Sequence, residues 1–316
     1  MKKLNVAILG CGTVGGGTYD ILLKNHDLIQ RRTGADIKVT RILDIKHRED
    51  IPEALYTADI NDIYGDPEID CVVETLGGIE PSTSFMLGAM KAGKHVISAN
   101  KAAIANSWEE LNSTAKNNNV KFLFEASVGG GIPVLTAIQG QLSGNKFLEV
   151  MGIVNGTTNY ILTKMTEEGA SYEDVLKDAQ EKGFAEKDPT ADVDGIDAAN
   201  KLSILIALMF DKYVAPMDIP RCGIRHITQL DIGEAEMKGE KIKLIAHATL
   251  QEDGSIKCSV KPEGIPKNHP LAGVSNEFNA VYVVGDMVGE TMFYGKGAGA
   301  LPTGAAIVGD IISLVK

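Results

Sequence analysis

A glycine-rich turn after the first apolar run limits the fold more than any other feature of this sequence. The run covers residues 3–9, and the turn reads Gly10-Cys11-Gly12-Thr13-Val14-Gly15. In this pattern Gly10 permits a tight turn, Gly12 lets the backbone approach a pyrophosphate, and Gly15 allows a helix to pack closely on the strand. The first N–H groups of such a helix are free to bind an anion. We therefore expect a dinucleotide site here, with a nicotinamide cofactor as the ligand.

Short apolar runs alternate with helical stretches up to about residue 130, which is typical of a parallel sheet with crossover helices. The predicted strands are residues 3–9, 37–44, 71–74, 95–98 and 120–124. The predicted helices between them are residues 14–30, 82–92 and 108–117. The sequence thus predicts an α/β fold, with a Rossmann-type doubly wound parallel sheet in a nucleotide-binding domain over residues 1–133.

The pattern changes after Pro133, where strands and helices mix without a regular βα alternation. Helices are predicted up to residue 139 and over 157–166, 171–182 and 196–210, and strands over 148–154, 241–250, 255–260 and 280–285. This mixture favours a second α+β domain with a mostly antiparallel sheet over residues 134–299, which we expect to carry catalysis and dimerisation. The glycine-rich segment from Gly295 to Gly304 is predicted as a loop, and a last helix over 300–316 completes the first domain.

The composition excludes several classes of function. Lysine and arginine number 31 against 42 aspartates and glutamates, so the formal net charge of −11 would repel a nucleic-acid backbone. The four cysteines lie far apart and show no zinc-ligand spacing, which favours a reducing compartment. The most apolar later run, residues 204–210, is far shorter than the ~20 residues that cross a bilayer. We expect a cytoplasmic protein that binds neither nucleic acid nor membrane.

The residues at the end of the second predicted strand bear on the choice between NAD and NADP. Asp44 is placed to accept hydrogen bonds from the ribose hydroxyls of NAD. Lys46, His47 and Arg48 follow and could neutralise the 2′-phosphate of NADP. The same basic residues are equally compatible with a solvated turn, so either cofactor fits the sequence.

One glutamate and four aspartates are concentrated between Gly183 and Lys201, where a predicted loop leads into a helix. Asp197 and Lys201 are four residues apart and share one helix face. A calcium loop is discounted, because the alternating register of acids and the closing glutamate are missing. Helix capping and a surface ion pair explain one or two of these acids but not five. Carboxylates bind an ammonium group and a lysine can protonate an oxygen that receives hydride, so the block suits an amino-acid substrate.

Two further segments could carry chemistry. Ser98-Ala99-Asn100-Lys101 ends a predicted strand at the sheet edge where open α/β sheets bind ligands, so Lys101 can lie beside the nicotinamide and the substrate. The alternative for Lys101 is a solvated surface position. The glycine loop over residues 125–133 could hold a monovalent cation through Glu125 and backbone carbonyl groups, or it could be a hinge turn before a helix.

In their order along the chain, these motifs resemble those of homoserine dehydrogenases. The matching segments are residues 10–15, 125–129, 154–160, 183–201 and 297–303. The Asn-Gly-Thr-Thr-Asn-Tyr segment from Asn155 and the Asp-Pro-x-x-Asp segment from Asp188 are far more specific than the glycine turn. The resemblance covers nearly the whole chain. It implies an NAD(P)-dependent oxidoreductase that interconverts L-aspartate 4-semialdehyde and L-homoserine, on the route to threonine, methionine and isoleucine.

The resemblance also implies roles for individual residues. Lys201 matches the family's proton donor, and Lys101 matches a second lysine close to the cofactor and the reacting carbonyl group. The residues assigned to the substrate are Gly183, Glu186, Asp192, Asp197 and Lys201. The residues assigned to NAD or NADP are Gly10, Gly12, Thr13, Val14, Gly15, Asp44, Lys46, Arg48, Thr75, Lys101 and Gly297. A sodium site of the fold is matched by Glu125, Val128, Gly130 and Ile132.

For the assembly, the resemblance implies a homodimer that forms through the second domain by sheet pairing, with a tetramer as the alternative. Many bacterial members continue for roughly 100 residues as a small-molecule-sensing regulatory domain. Because this sequence ends at Lys316, we expect no appended sensor and weak or absent feedback inhibition by threonine.

Two other functions compete with this one. Another two-domain amino-acid or sugar dehydrogenase would share the nucleotide-binding half, but related oxidoreductases often carry Glu-Lys-Pro where this chain has Asn100-Lys101-Ala102. A non-catalytic sensor of NAD(P)H would need the glycine turn and could discard Lys101, Lys201 and the acidic block. The presence of all of them favours the enzyme.

Overall fold

The computed structural model describes residues 2–316, which divide into two compact units with a sheet each. Of the described residues, the first unit consists of residues 2–131 and Ala298–Lys316, and the second consists of Ile132–Gly297. None of the helices between residues 2 and 316 has both the length and the hydropathy that a membrane-spanning helix requires.

Six parallel strands form the sheet of the first unit, in the order β3-β2-β1-β4-β5-β6. The strands are β1 (Lys2–Leu9), β2 (Ala35–Leu43), β3 (Tyr56–Thr57), β4 (Cys71–Glu74), β5 (His95–Ser98) and β6 (Phe122–Leu123). The strand order changes direction between β1 and β4, and in such sheets ligands bind beyond the carboxyl ends of the strands at this point. The predicted doubly wound parallel sheet is confirmed.

Helices cover both faces of this sheet. They are α1 (Thr13–Lys24), α2 (His26–Thr33), α3 (Asn61–Tyr64), α4 (Ser82–Lys91), α5 (Lys101–Asn106), α6 (Trp108–Asn117) and, from the end of the chain, α13 (Ala300–Ser313). Alternate residues of β1 enter two separate cores. Val6 and Ile8 pack in the core that includes residues of α1 and α13, whereas Ala7 and Leu9 pack in the core that includes residues of α4 and α6. Burial on both faces explains the continuous apolar runs of these strands.

Two predicted elements of the first unit differ from the structure. The single helix predicted over residues 14–30 is wrong, because two helices meet at Asn25, whose φ of −104° and ψ of 15° interrupt the helical path. Asparagine competes for backbone hydrogen bonds and therefore favours helix ends. The strand predicted over residues 120–124 is reduced to the two residues of β6, at the edge of the sheet.

The second unit has a five-stranded antiparallel sheet in the order β11-β10-β7-β8-β9. Its strands are β7 (Phe147–Ile153), β8 (Glu240–Leu250), β9 (Ile256–Pro266), β10 (Phe278–Gly285) and β11 (Gly289–Lys296). Its helices are α7 (Leu135–Gln139), α8 (Gly156–Glu168), α9 (Tyr172–Glu181), α10 (Thr190–Val193), α11 (Ile196–Phe210) and α12 (Gln229–Met237). The predicted α+β arrangement with an antiparallel sheet is confirmed.

The sequence patterns did not reveal β11 and α12. The loop predicted from Gly295 to Gly304 is shorter in the structure, because β11 continues to Lys296 and α13 begins at Ala300, where the last helix was predicted to begin. The exposed face of β11 carries Met292 and Tyr294, so apolar residues stand where an alternating strand pattern needs polar ones. The sequence signal for α12 is its capping box, in which Thr228 and Asp231 bond reciprocally.

Candidate active site

The glycine-rich turn joins β1 to α1 and leaves open space at the start of the helix. Gly10 has a φ of +87°, in the left-handed region that favours glycine. A Cβ atom on Gly15 would lie 1.9 Å from the Gly10 carbonyl oxygen, so the close approach of helix and strand requires this glycine. A Cβ atom on Gly12 would meet no described atom within 4 Å. Exposed Thr13 and half-buried Val14 follow. The phosphates of a dinucleotide fit this space, beside the first N–H groups of α1.

Thr75 follows β4 and holds the glycine turn from the neighbouring strand. Its Oγ1 lies 2.6 Å from the Gly10 carbonyl oxygen and 3.0 Å from that of Leu9, and its backbone N–H also donates to Leu9. The hydroxyl proton is therefore used within the turn.

Asp44 follows β2 and is held at the end of the strand by two backbone groups. The Cys11 N–H donates to its Oδ2 at 2.6 Å, and the Lys46 N–H donates to its Oδ1 at 2.9 Å. The Lys46 side chain is exposed and has no partner among residues 2–316. The Asp44 carboxylate thus ties the glycine turn to the end of β2, where the adenosine ribose of a dinucleotide lies in this fold.

Arg48 lies between two carboxylates near the same end of β2. Its Nη2 is 2.9 Å from Asp20 Oδ1 and 2.6 Å from Asp50 Oδ2. These hydrogen bonds, first to Asp50 and then to Asp20, raise the pKa of the guanidinium above its ordinary value. Arg48 is therefore cationic, and the two acids already balance its charge.

Lys101 begins α5 at the carboxyl end of β5, and a buried network fixes the turn that precedes it. Ser98 Oγ donates to Glu74 Oε2 at 2.6 Å, and the Asn100 N–H donates to Ser98 Oγ at 3.0 Å. The Asn100 side chain caps α5 by accepting from the Ala103 N–H at 3.1 Å. Glu74 and Ser98 are fully buried. The sequence patterns did not single out Glu74, although a carboxylate that ends an otherwise apolar strand is the kind of residue that marks such a network.

In the second unit, Lys201 lies on α11, where thirteen of the fifteen residues are buried. Its Nζ donates to Asp197 Oδ2 and to the Val154 carbonyl oxygen, each at 2.6 Å. The side chains of Lys201 and Asp197 are only 10% and 8% exposed. Asp197 and Lys201, which the sequence places four residues apart on one helix face, therefore form a pair in the interior. The Nζ of Lys201 lies just beyond the end of β7.

Asn155 joins the two aspartates of the acidic block and was not predicted as a site residue. It is the N-cap of α8, where its Oδ1 accepts from the Thr158 N–H at 2.9 Å. Its Nδ2 donates to Asp192 Oδ1 at 2.7 Å and to Asp197 Oδ2 at 2.9 Å. Thr157 Oγ1 lies 3.1 Å from Asp192 Oδ2. An asparagine directly after a strand and before a helix is the sequence signal for this cap.

The electrostatics of this cluster favour a cationic ligand. Burial raises the pKa of the Asp192 carboxyl and Asp197 acts in the same direction, whereas Asn155, Lys201 and Thr157 oppose them. Two carboxyl groups thus share one lysine charge. An incoming ammonium group would relieve the repulsion between the two carboxylates.

Three other predicted substrate and cofactor positions lie apart from these hydrogen bonds. Glu186 is exposed after α9, and its carboxylate forms no hydrogen bond or ion pair with residues 2–316. Gly183 has a φ of +75° in the same turn. A Cβ atom on Gly297, just after β11, would lie 1.9 Å from Asn279 Nδ2. Asn279 is buried, and its Oδ1 has no partner within residues 2–316. The backbone of Gly297 is therefore packed directly on a buried amide.

The predicted cation-binding segment has two carbonyl groups without hydrogen bonds. No described residue donates to the carbonyl oxygens of Val128 and Gly130. The Glu125 N–H donates to Asp310 Oδ2 at 2.9 Å, and burial raises the pKa of Asp310 to about 7. Ile132 is the first residue of the second unit. Over the described range, no group of three or more His, Cys, Asp or Glu side chains could hold a metal ion.

Comparisons with known proteins give matches over both units. The family model described as "Homoserine dehydrogenase, NAD binding domain" matches residues 10–125, and the model described as "Homoserine dehydrogenase" matches residues 133–312. The homoserine dehydrogenase of Bacillus subtilis is 44% identical over 321 residues, which cover 100% of this chain and 74% of that protein.

Solved structures give the same result. The crystal structure of a homoserine dehydrogenase from Thiobacillus denitrificans has a TM-score of 0.94 at 42% identity, over 100% of this chain and 74% of that one. A hyperthermophilic archaeal homoserine dehydrogenase, solved in complex with NADPH, has a TM-score of 0.83 at 27% identity, over 98% and 97% of the two chains.

Proposed function

This chain belongs to the homoserine dehydrogenase family of NAD(P)-dependent oxidoreductases, and on that premise we propose which of its residues carry the interconversion of L-aspartate 4-semialdehyde and L-homoserine. The observation that carries the proposal is the interior contact of Lys201 with Asp197 and the Val154 carbonyl oxygen. A lysine costs free energy in such a position unless its proton is held by good acceptors. We assign Lys201 as the proton donor.

A bound nicotinamide supplies the hydride in the reductive direction. Negative charge then builds on the aldehyde oxygen, and Lys201 transfers a proton from its Nζ to that oxygen, which becomes the hydroxyl group of homoserine. In the oxidative direction the same Nζ accepts the hydroxyl proton. Asp197 holds Nζ at 2.6 Å, which fixes the position from which the proton moves.

The carboxylates of the second unit bind the amino-acid end of the substrate in this proposal. Asp192 accepts the α-ammonium group, with Glu186 as a further acid from the neighbouring turn. Asn155 supports the assignment, because it donates to both Asp192 and Asp197 and so keeps the two acids at a fixed separation. The backbones of Gly183 and Gly297 line the substrate and the nicotinamide in this proposal. Open space surrounds the Cβ position of Gly183, whereas Gly297 is a glycine because of the buried Asn279 amide beside it.

The first unit binds the cofactor in this proposal. Gly10, Gly12 and Gly15 form the phosphate turn, with Thr13 and Val14 at the helix start and Thr75 as the residue that holds the turn. Lys101 supplies the second positive charge of the reaction. The buried network of Glu74, Ser98 and Asn100 supports this role, because it fixes the turn from which Lys101 extends.

The decisive experiment is the initial rate of L-homoserine oxidation by the purified chain at alkaline pH, followed through the absorbance of the reduced nicotinamide. We expect turnover with L-homoserine and none with L-serine, which lacks one carbon. Measurable cofactor binding without turnover of L-homoserine would contradict the assignment and favour a dehydrogenase for another amino acid or the NAD(P)H sensor.

For the cofactor, we propose that the site accepts both NAD and NADP. We also propose that Asp20 and Asp50, which contact Arg48, set the ratio of catalytic efficiencies with the two cofactors. In this proposal Asp44 accepts hydrogen bonds from the ribose hydroxyls, and Lys46 and Arg48 bind the 2′-phosphate of NADP. Asp20 and Asp50 compete with that phosphate for the same guanidinium.

An Asp50→Asn variant should therefore use NADP better. We expect the ratio of kcat/KM with NADP to kcat/KM with NAD to rise about fivefold, because one competing charge is removed from Arg48. Asp27→Asn is the matched control, since this aspartate of α2 is 96% exposed and makes no contact with Arg48. An unchanged ratio in the Asp50 variant would place the 2′-phosphate away from Arg48.

We also propose a monovalent cation, of the sodium type, at the carbonyl groups of Glu125, Val128, Gly130 and Ile132. The support is the pair of unbonded carbonyl oxygens at Val128 and Gly130, which suit a hard cation. Turnover should rise when sodium chloride replaces choline chloride at equal ionic strength. Equal rates in the two salts would remove the cation from the proposal.

For the assembly, we propose a homodimer formed through the sheet of the second unit. The support is the exposed face of the edge strand β11, where Met292 is 37% and Tyr294 is 53% exposed and Tyr294 stacks on Phe278 at 5.2 Å. A Tyr294→Glu variant should shift the mass measured by light scattering towards one chain. A monomeric wild-type protein would contradict this surface.

A further inference from the structure

A segment of irregular backbone, residues 223–225, packs directly on the short helix that carries Asp192. The Ile224 N–H donates to the Val193 carbonyl oxygen at 2.8 Å. Arg225 Nε donates to Asp194 Oδ1 at 2.6 Å, and its Nη2 lies 3.1 Å from Thr190 Oγ1. Thr190 is the first residue of α10 and Asp194 is its C-cap, so one guanidinium spans the turn that carries Asp192. We call residues 223–225 the clamp.

Gly223 brings the clamp close to α10. A Cβ atom at this position would lie 2.2 Å from the Val193 carbonyl oxygen and 2.7 Å from the Asp194 Cα atom. Both atoms belong to backbone, so any side chain here would push α10 away. The glycine is therefore required by the approach of two backbone segments.

The clamp is itself anchored to the sheet. The Cys222 N–H donates to the Val260 carbonyl oxygen at 2.8 Å, and the Val260 N–H donates to the Pro220 carbonyl oxygen at 2.9 Å. Val260 is a fully buried residue of β9. These bonds attach the clamp to a strand of the sheet. Because the clamp also bonds to α10, the turn that carries Asp192 can move only a little relative to that strand.

The Asp192 carboxylate is held by Asn155 and Thr157, at 2.7 Å and 3.1 Å. The clamp holds the neighbouring residues of the same turn, Thr190, Val193 and Asp194. We propose that Gly223 and Arg225 are positioning residues for substrate binding, which hold α10 so that Asp192 meets the α-ammonium group of the amino-acid substrate. This inference rests on the proposed role of Asp192 in binding that group.

The test compares Arg225→Met and Gly223→Ala with the wild type, and measures KM for L-homoserine, KM for NAD(P), kcat and thermal unfolding. We expect KM for L-homoserine to rise about tenfold in each variant, with KM for the cofactor unchanged and kcat lowered less than KM is raised. Arg225→Lys should restore part of the affinity. Arg221→Met is the matched control, because the Arg221 guanidinium contacts the Pro216 carbonyl oxygen at 3.5 Å and does not contact α10.

An Asp192→Asn variant distinguishes failure of this inference about Gly223 and Arg225 from failure of the proposed role of Asp192. If it raises KM for L-homoserine, and Arg225→Met adds nothing to it in the double variant, then Arg225 acts through Asp192. If it raises KM and Arg225→Met alone leaves KM unchanged, then the clamp is only structural and this inference fails. If Asp192→Asn itself leaves KM unchanged, the proposed role of Asp192 fails, and the inference fails with it. A lower melting temperature with an unaltered KM would also overturn the inference.

Discussion

A Lys201→Met variant is expected to lose about 1,000-fold in turnover of L-homoserine while it keeps its affinity for NAD(P). Methionine has a similar length but no proton to give, so charge that builds on the substrate oxygen stays unquenched. All of the proposed cofactor residues except Gly297 lie in the first unit, whereas Lys201 lies in the second, so binding of NADPH should be unaffected. The measurements are kcat for L-homoserine and a fluorescence titration with NADPH.

Removal of Lys201 also leaves Asp197 in the interior without its cationic partner, which typically costs about 3–5 kcal/mol in the free energy of unfolding. A second variant, with Lys201→Met and Asp197→Asn together, removes both charges and separates loss of chemistry from loss of fold. Lys164→Met is the control, because Lys164 pairs with Glu168 at the surface of α8. Turnover near the wild-type level in a folded Lys201→Met protein would show that another group donates the proton.

A Gly12→Ala variant is expected to fold normally and to raise KM for NAD(P) about a hundredfold. The added methyl group meets no described atom within 4 Å, so it costs the folded protein little. It projects instead into the space that the pyrophosphate needs, and a displacement of about 1 Å at such a position can cost about a hundredfold. The measurements are thermal unfolding and KM for both cofactors.

Gly15→Ala is the comparison variant for Gly12→Ala, because it is expected to affect folding. Its methyl group would lie 1.9 Å from the Gly10 carbonyl oxygen, so the glycine turn and α1 must move apart. We expect a clearly lower melting temperature for Gly15→Ala and an unchanged one for Gly12→Ala. If Gly12→Ala bound NAD(P) as tightly as the wild type, the phosphates would lie elsewhere.

The sequence patterns predicted the bounds of strands β4 and β5 and of helices α6 and α11. The two strands and α11 are almost wholly buried, whereas α6 is a mostly exposed helix that buries Leu111 and Ala115, four residues apart on one face. Strand β11 and the interruption at Asn25 escaped prediction. In β11 the outward-facing side chains Met292 and Tyr294 are apolar, so local alternation gives no strand signal.

The site was predictable to the extent that its residues lie close together in the sequence. Asp197 and Lys201 were assigned to one helix face from their spacing, and the structure has them 2.6 Å apart. The contacts of Asn155 with Asp192 and of Glu74 with Ser98 join residues 37 and 24 positions apart. No periodicity relates such residues, since only the folded chain brings them together. The burial of Lys201 followed from α11 being apolar on all sides, which the spacing alone does not reveal.

Helix α13 lies against α1 so closely that a Cβ atom on Gly17 would be 2.3 Å from the Ala300 carbonyl oxygen, and Ile307 and Ile311 are fully buried in the core of the first unit. This contact determines which of the two units can fold first during synthesis of the chain. Residues 300–313 are synthesised only after the whole second unit, so the nucleotide-binding core must wait, with one face uncovered, until nearly all of the chain has emerged. The second unit, Ile132–Gly297, is continuous in the sequence and needs no later segment to complete its core. It is therefore the unit that can fold first during translation, although it is encoded second.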